Sequence, residues 1–270
     1  MSSVSLNLDN EVLARDYDRI SAERQFKNGQ ILVSALGIVA GERVLDVGCG
    51  TGLLAEYVAN LVGEAGGVLG IDPLPLRIEI AQRRVRLNLS FRVGDANNLS
   101  AIPAESFDVI YLNAVLHWLP EKLEPLRQMF RILRVGGRLG ISTGSKNGPN
   151  RLQEIKARVL AREPYSRYPE GMQGRAYWIS PDDLRALLVA SGFTIRMIEE
   201  RTNVQEFQSP EAIIRFSEAS SFGNFLGHLP AELRDRARGE IASELAVLMP
   251  AGLQRRRERI VAIAEKPRIR

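Results

Sequence analysis

The chain has 270 residues, 45% of them apolar and 25% charged, a formal net charge of +4 and a single cysteine, Cys49. That length can bury a full core in one α/β domain, and one cysteine excludes internal disulfides and a Cys-only zinc cage; no metal site is expected. No apolar run reaches membrane-spanning length, Asp9, Glu11 and Arg15 stand where a signal peptide would carry its apolar core, and the basic excess is spread as on a solvated surface. The expectation is a cytoplasmic protein without a membrane or nucleic-acid partner.

Residues 1–40 read as N-terminal helices. From 41 to 143, short β-branched and apolar runs at 43–47, 68–72, 89–93, 108–112 and 138–143 alternate with helix-period segments. Between the first two, Leu53, Leu54, Tyr57, Val58 and Leu61 recur at helical spacing until Gly63, Gly66 and Gly67 stop the helix. The alternation predicts a doubly wound, mostly parallel sheet whose strands end along one ligand-binding edge. Residues 144–178, rich in Gly, Pro, Arg and Tyr, read as an insertion above that edge. Ser180-Pro181-Asp182-Asp183 then gives an N-cap, a proline at N1 and an acid at N3 to a helix carrying Leu184, Leu187 and Leu188 and ending at Gly192. Strands follow at 194–199 and 260–264. Between them, a second insertion at 203–255 holds Leu229, Leu233, Ala237, Ile241, Leu245 and Leu248, the apolar stripe of one long helix. Residues 41–143, 179–202 and 256–265 are thus the core of a single domain, and the two insertions form a cap.

The chemistry gathers at the strand ends. Val44-Leu45-Asp46-Val47-Gly48-Cys49-Gly50-Thr51-Gly52 runs an apolar strand into three alternate glycines and then a helix, the layout that brings backbone close to a nucleotide-like ligand. Leu53 stands where the dinucleotide fingerprint has Gly or Ala, which argues against a nicotinamide or flavin. Asp72, some twenty residues on, ends the second strand where a carboxylate accepts from ribose hydroxyls, with Pro73 turning the chain away. Gly94-Asp95-Ala96 ends the third strand with an acid for an adenine amino group, and Asn113 ends the fourth with a side-chain amide toward a ligand ammonium.

This ensemble resembles the class I methyltransferases that use S-adenosylmethionine, over residues 40–143 and in layout to residue 265. Gly136-Gly137 before the fifth strand and Asn113-Ala114-Val115-Leu116-His117-Trp118 after the fourth belong to the same resemblance. It implies a seven-stranded sheet closed by an antiparallel hairpin. It also implies S-adenosylmethionine held by Tyr17, Asp46, Gly48, Gly50, Gly52, Asp72, Pro73, Asp95, Ala96 and Asn113. Tyr17-Asp18-Arg19-Ile20-Ser21-Ala22-Glu23-Arg24-Gln25 and Leu116-His117-Trp118 resemble the branch of trans-aconitate, juvenile-hormone acid and malonyl-carrier-protein methyltransferases, which implies a small carboxylate substrate methylated at oxygen beneath a helical cap.

A sulfonium is already a methyl donor, so the protein's task is to orient the acceptor and exclude water, and no catalytic triad is needed. His117 is the candidate base for a hydroxyl, amine or carbon acceptor, or else a residue that orients its loop. Trp118, Tyr165, Arg167, Tyr168, Arg175 and Tyr177 are the expected substrate contacts, although a solvated loop would carry the same residues. Arg255-Arg256-Arg257-Glu258-Arg259 reads as a charged edge or turn, His228 as a turn residue and Cys49 as packing. Methylation of a macromolecule is the rival enzyme reading. Against it stands the absence of an Asn/Asp-Pro-Pro-aromatic motif, since Asn113 is followed by Ala114-Val115-Leu116. A non-catalytic scaffold is the other alternative, and the cofactor groups retained here argue against it.

Overall fold

The computed structural model describes residues 10–148, 150–170, 176–221, 224–248 and 253–268. Asn10 caps α1 (Glu11–Asp16) by accepting the Leu13 N–H, and a π-helical turn at Tyr17–Ser21 leads into α2 (Ala22–Leu36). The wound core follows as β1 (Arg43–Val47), α3 (Leu53–Val62), β2 (Gly67–Asp72), α4 (Pro75–Ala81), β3 (Leu89–Val93), β4 (Phe107–Asn113), α5 (Leu123–Ile132) and β5 (Leu133–Gly144). Beyond it come α6 (Arg151–Leu160), α7 (Pro181–Ala190), β6 (Thr194–Phe207), α8 (Pro210–Ser220), α9 (Ala231–Leu248) and β7 (Leu253–Glu265).

The seven strands form one sheet in the order β3-β2-β1-β4-β5-β7-β6, parallel except that β7 runs antiparallel to both its neighbours. The central strands are apolar on both faces because both faces are covered. Leu45, Ile110, Leu112, Leu139 and Ile141 pack against α5 and α7 on one side, while Val44, Val109 and Tyr111 pack against α2 and α3 on the other. The α7 start is fixed by a reciprocal cap in which the Ser180 hydroxyl accepts the Asp183 N–H at 3.1 Å and the Asp183 carboxylate accepts the Ser180 N–H at 2.9 Å. No described helix is long and apolar enough to cross a membrane.

Several strand boundaries differ from the sequence reading. β5 begins at Leu133, five residues ahead of the expected 138, so Gly136 and Gly137 lie inside the strand and not before it. β6 and β7 stay paired out to Phe207 and Leu253, so residues 203–207 and 253–255 are strand and not insertion. β5 ends where Gly144 faces Arg259, and beyond that point the β6–β7 ribbon projects past the sheet, with too little apolar alternation to announce a strand. The long helix also begins at Ala231, and Leu248 at its end is exposed, outside the apolar stripe. Above the sheet edge, Leu152, Ile155 and Val159 of α6 share one apolar cluster with Ile213 and Ile214 of α8 and Ile241 and Leu245 of α9.

Candidate active site

β1 delivers the glycine loop to the sheet edge in a conformation only glycine takes easily. Gly48 and Gly50 have φ of 76° and 56°; a Cβ on Gly48 would collide with Val115, and one on Gly50 would stand 2.8 Å from the Tyr17 hydroxyl. Gly48 and Cys49 donate their N–H groups to the Ile71 carbonyl at 2.7 and 2.9 Å, tying the loop to the end of β2. Asp72 completes the tie. Its two carboxylate oxygens accept the Gly50 N–H at 2.9 Å and the Leu74 N–H at 3.0 Å. Burial raises the Asp72 pKa, while Arg77 and the two N–H groups pull it back.

Around the loop, Tyr17, Gly48, Asp72, Pro73, Asp95, Ala96 and Asn113 line one cleft of about 50 Å³ together with Trp118 and Arg77. Tyr17, Asp46, Gly48 and Asn113 also line a second chamber of about 30 Å³. Tyr17 stands between the two, its ring on Gly50 on one side and under the Arg77 guanidinium at 3.7 Å on the other. Gly52 lies behind the cleft, backed against Phe91. Asp46 is buried, accepts the Tyr111 hydroxyl at 2.8 Å, and has its pKa pushed up to about 7 by burial. The Asp95 Oδ1 accepts from both the backbone and the side chain of Asn97, which leaves Oδ2 for a ligand. Asn113 differs from the sequence reading. Its amide donates to the Gln25 carbonyl at 2.9 Å and its oxygen accepts from Arg259 at 2.8 Å, so it braces the cleft and has little left for a ligand ammonium.

A larger cavity of about 450 Å³ opens next to this cleft, sharing Gln25, Ala114 and Trp118 with it. Ala114 holds a φ of 62°, a strained value for alanine, at that junction. His117 lies in the wall, Nδ1 3.0 Å from the Thr143 hydroxyl and its ring stacked 4.4 Å from Trp178. Burial first, and then Arg259, Arg257 and Lys122, push its pKa well below the ordinary histidine value, so it is neutral at pH 7.

The remaining substrate expectations divide. Trp118 lies at the junction of the two cavities. Tyr165 is buried in the cap cluster with its hydroxyl on Glu240 at 2.9 Å, Arg167 is paired with Glu163 on the surface, and Tyr165 and Tyr168 line a neighbouring cavity of about 360 Å³ that shares Gln153, Lys156, Ala157 and Glu170 with the large one. Tyr165 and Arg167 lie in a short helical turn with Tyr168 at its end, and none of the three lines the large cavity or the cleft beside it. Tyr177 donates its backbone N–H to the His117 carbonyl at 2.7 Å, bracing that loop. Arg175 lies outside the described residues.

Arg255, Arg257 and Arg259 were hidden from sequence reasoning. On β7 they occupy alternate positions, hence one face, and all three line the large cavity. Arg259 donates to Ser142 and Asn113, and Arg257 lies 4.5 Å over the Trp178 ring. Burial lowers the pKa of Arg255 to about 9, with the charge of Arg257 adding to the effect, and those of Arg257 and Arg259 to about 10; all stay cationic at pH 7. Among the described residues none of the three has a carboxylate partner. The signal was the alternation Arg-Arg-Arg-Glu-Arg itself, which has a strand's period but a surface composition.

Three comparisons bear on this geometry. The sequence pattern of the family described as "Methyltransferase domain" matches residues 38–187. A trans-aconitate 2-methyltransferase of Methylobacterium nodulans is 27% identical over 85% of this chain and 87% of its own length. An arsenite methyltransferase of Halobacterium salinarum is 32% identical over 63% of this chain; the match spans 41% of that longer protein. Among solved structures, a phosphoethanolamine N-methyltransferase of Haemonchus contortus bound to phosphomonomethylethanolamine and S-adenosylhomocysteine superposes with a TM-score of 0.61 at 18% identity, over 96% of this chain and 58% of that one.

Proposed function

The chain belongs to the methyltransferase-domain family, and from that premise we propose that it transfers a methyl group from S-adenosylmethionine to a carboxylate oxygen of a small anionic molecule. The residues that line the cleft suit such a cofactor. The glycines leave no room for side chains, Asp72 and Asp95 supply acceptors at two successive strand ends, and the Thr51 hydroxyl in the glycine loop is buried without a hydrogen-bond partner. Asp72 would hold the ribose, Asp95 and Ala96 the adenine, and Asp46, Gly48 and Tyr17 the amino-acid end. When bound, the cofactor supplies an electrophilic methyl group on a sulfonium.

The observation that carries the acceptor class is the basic cavity beside that cleft. Its volume falls in the small-molecule range of roughly 300–1,000 Å³. Four basic side chains, Arg255, Arg257, Arg259 and Lys156, line it against two acidic ones, Glu170, which pairs with Lys156 at 2.8 Å, and Glu258, which accepts from Thr202 at 3.0 Å and keeps its charge, so the wall is net positive. A buried cation without a counter-charge is costly, and an anionic ligand relieves that cost. Arg257 and Arg259 hold the acceptor near Trp118, and the aromatic wall of His117, Trp118 and Trp178 keeps water from it. A carboxylate arrives ionised and needs no base. His117 then serves as a neutral wall that positions the acceptor. The trans-aconitate relative named above fits this acceptor class.

The test is incubation of the protein with S-adenosylmethionine and a panel of small mono- and polycarboxylic acids. The expected product is one CH2 heavier than its acid and loses its methyl group to mild base, as an ester does. A base-stable methylated product would reject the ester and favour a hydroxyl or amine acceptor.

A further inference from the structure

We propose that the cap end of the large cavity is a second anion subsite, built on Arg255 and Asn224, so that the substrate carries two separated anionic groups. The inference rests on the carboxylate reading above and deepens it. The three arginines run away from the cofactor cleft. Arg259 faces Gly144 at the last residue of β5, whereas Arg257 and Arg255 lie on the ribbon that projects beyond the sheet, paired only with Asn203 and Gln205 of β6. At about 3.4 Å per residue, Arg255 begins about 13–14 Å from Arg259 along the strand. One carboxylate held at Arg259 does not fill the site at Arg255.

The state of the three heads also differs. Arg259 donates to Ser142 and Asn113 and keeps further N–H donors, Arg257 rests on Trp178, and Arg255 lies 5.9 Å over Phe216 with its Nε lacking a hydrogen-bond partner among the described residues. Asn224, nine-tenths buried in the same wall, leaves its side-chain amide nitrogen unpartnered, and Asn150 leaves its side-chain Oδ1 so. Three buried polar atoms without partners on one cavity are unusual, because such groups are otherwise paired in folded proteins. Two of them are donors. A carboxylate accepts from both, and a hydroxyl or N–H beside that carboxylate satisfies Asn150. Phe216 and Phe225 line the same end of the cavity and give the linking chain an apolar surface.

Both tryptophans of the chain, Trp118 and Trp178, line this cavity, so intrinsic fluorescence reports its occupancy without turnover. A graded series of straight-chain α,ω-dicarboxylates, each beside the monocarboxylate of equal length, would be titrated into the protein loaded with S-adenosylhomocysteine. At the matching length the diacid should bind about tenfold or more tighter than its monoacid, the range for a charge-assisted hydrogen bond. Arg255→Met should abolish that preference and Arg255→Lys should largely keep it. A series in which no diacid outbinds its monoacid would overturn the proposal, as would an Arg255→Met variant that weakens both members of the pair equally. Diacid binding without methyl transfer would leave this subsite standing and remove the carboxylate acceptor. Base-labile methylation of monoacids and diacids alike would do the reverse.

Discussion

Asp72→Ala separates the two jobs given to one carboxylate. In the structure that side chain accepts the Gly50 N–H at 2.9 Å and the Leu74 N–H at 3.0 Å while lining the cofactor cleft. Removing it strands two buried backbone donors, at a cost of about 1–3 kcal/mol each, and in a domain of this size each kcal/mol lowers Tm by about 2–4 °C. It also removes the acceptor proposed for the ribose hydroxyls. A hydrogen bond to a charged group contributes about 1.5–3 kcal/mol, so Kd for S-adenosylmethionine should rise roughly 10–150-fold. Asp72→Asn is the sharper variant. It keeps one acceptor but turns an NH2 toward a backbone N–H, so it should disturb the loop while nearly conserving volume. Titration calorimetry with S-adenosylmethionine and its demethylated product, beside thermal melts, reads both effects. An Asp72→Ala protein that binds the cofactor within twofold of wild type would refute the ribose role, even if its Tm falls as expected.

Other perturbations test other parts of the site. Gly48→Ala adds a Cβ that strikes Val115 at a φ of 76°; strain and collision together should cost about 1–3 kcal/mol, and Val115→Ala in the same chain should recover the steric part but not the backbone part, as read by denaturant unfolding. Burial lifts the Asp46 pKa from 3.8 to about 7, so the folded state holds an extra proton between roughly pH 4 and 7. Its contribution to stability is therefore largest at the acid end and declines as pH rises through that window. Melts from pH 4.5 to 7.5 should show this decline in wild type and not in Asp46→Asn; parallel curves would contradict it. With the His117 pKa driven below its ordinary value, the rate should be nearly flat from about pH 6 to 8. A rise near the ordinary histidine pKa that vanishes in His117→Gln would make that imidazole a base. Arg259→Met unties Asn113 and Ser142 as well as removing a cation, so KM for the acid should rise more than kcat falls, measured in steady state with the cofactor saturating.

The amino-acid sequence alone determined the fold and the cofactor edge. β1 and β3 stand at the expected residues, Gly48, Asp72 and Asp95 line one cleft and Gly50 is bonded to Asp72, because glycine spacing, strand apolarity and acids at strand ends are local signals. The reciprocal cap of α7 was legible for the same reason. The acceptor site was not. Tyr165, Arg167 and Tyr168 had a suitable composition, but Tyr165 and Tyr168 line a neighbouring cavity, a placement set by how the cap packs, and Arg167 pairs with Glu163. Asn113 ends the right strand, yet Arg259, distant in sequence, takes up its oxygen. Arg255, Arg257 and Arg259 read as surface because a charged alternation has the same composition on an exposed edge as in a lined cavity. Only the antiparallel return of β7 beside β5, extended past the sheet by its pairing with β6, turns one face of that strand inward and sets its arginines in the wall of the large cavity.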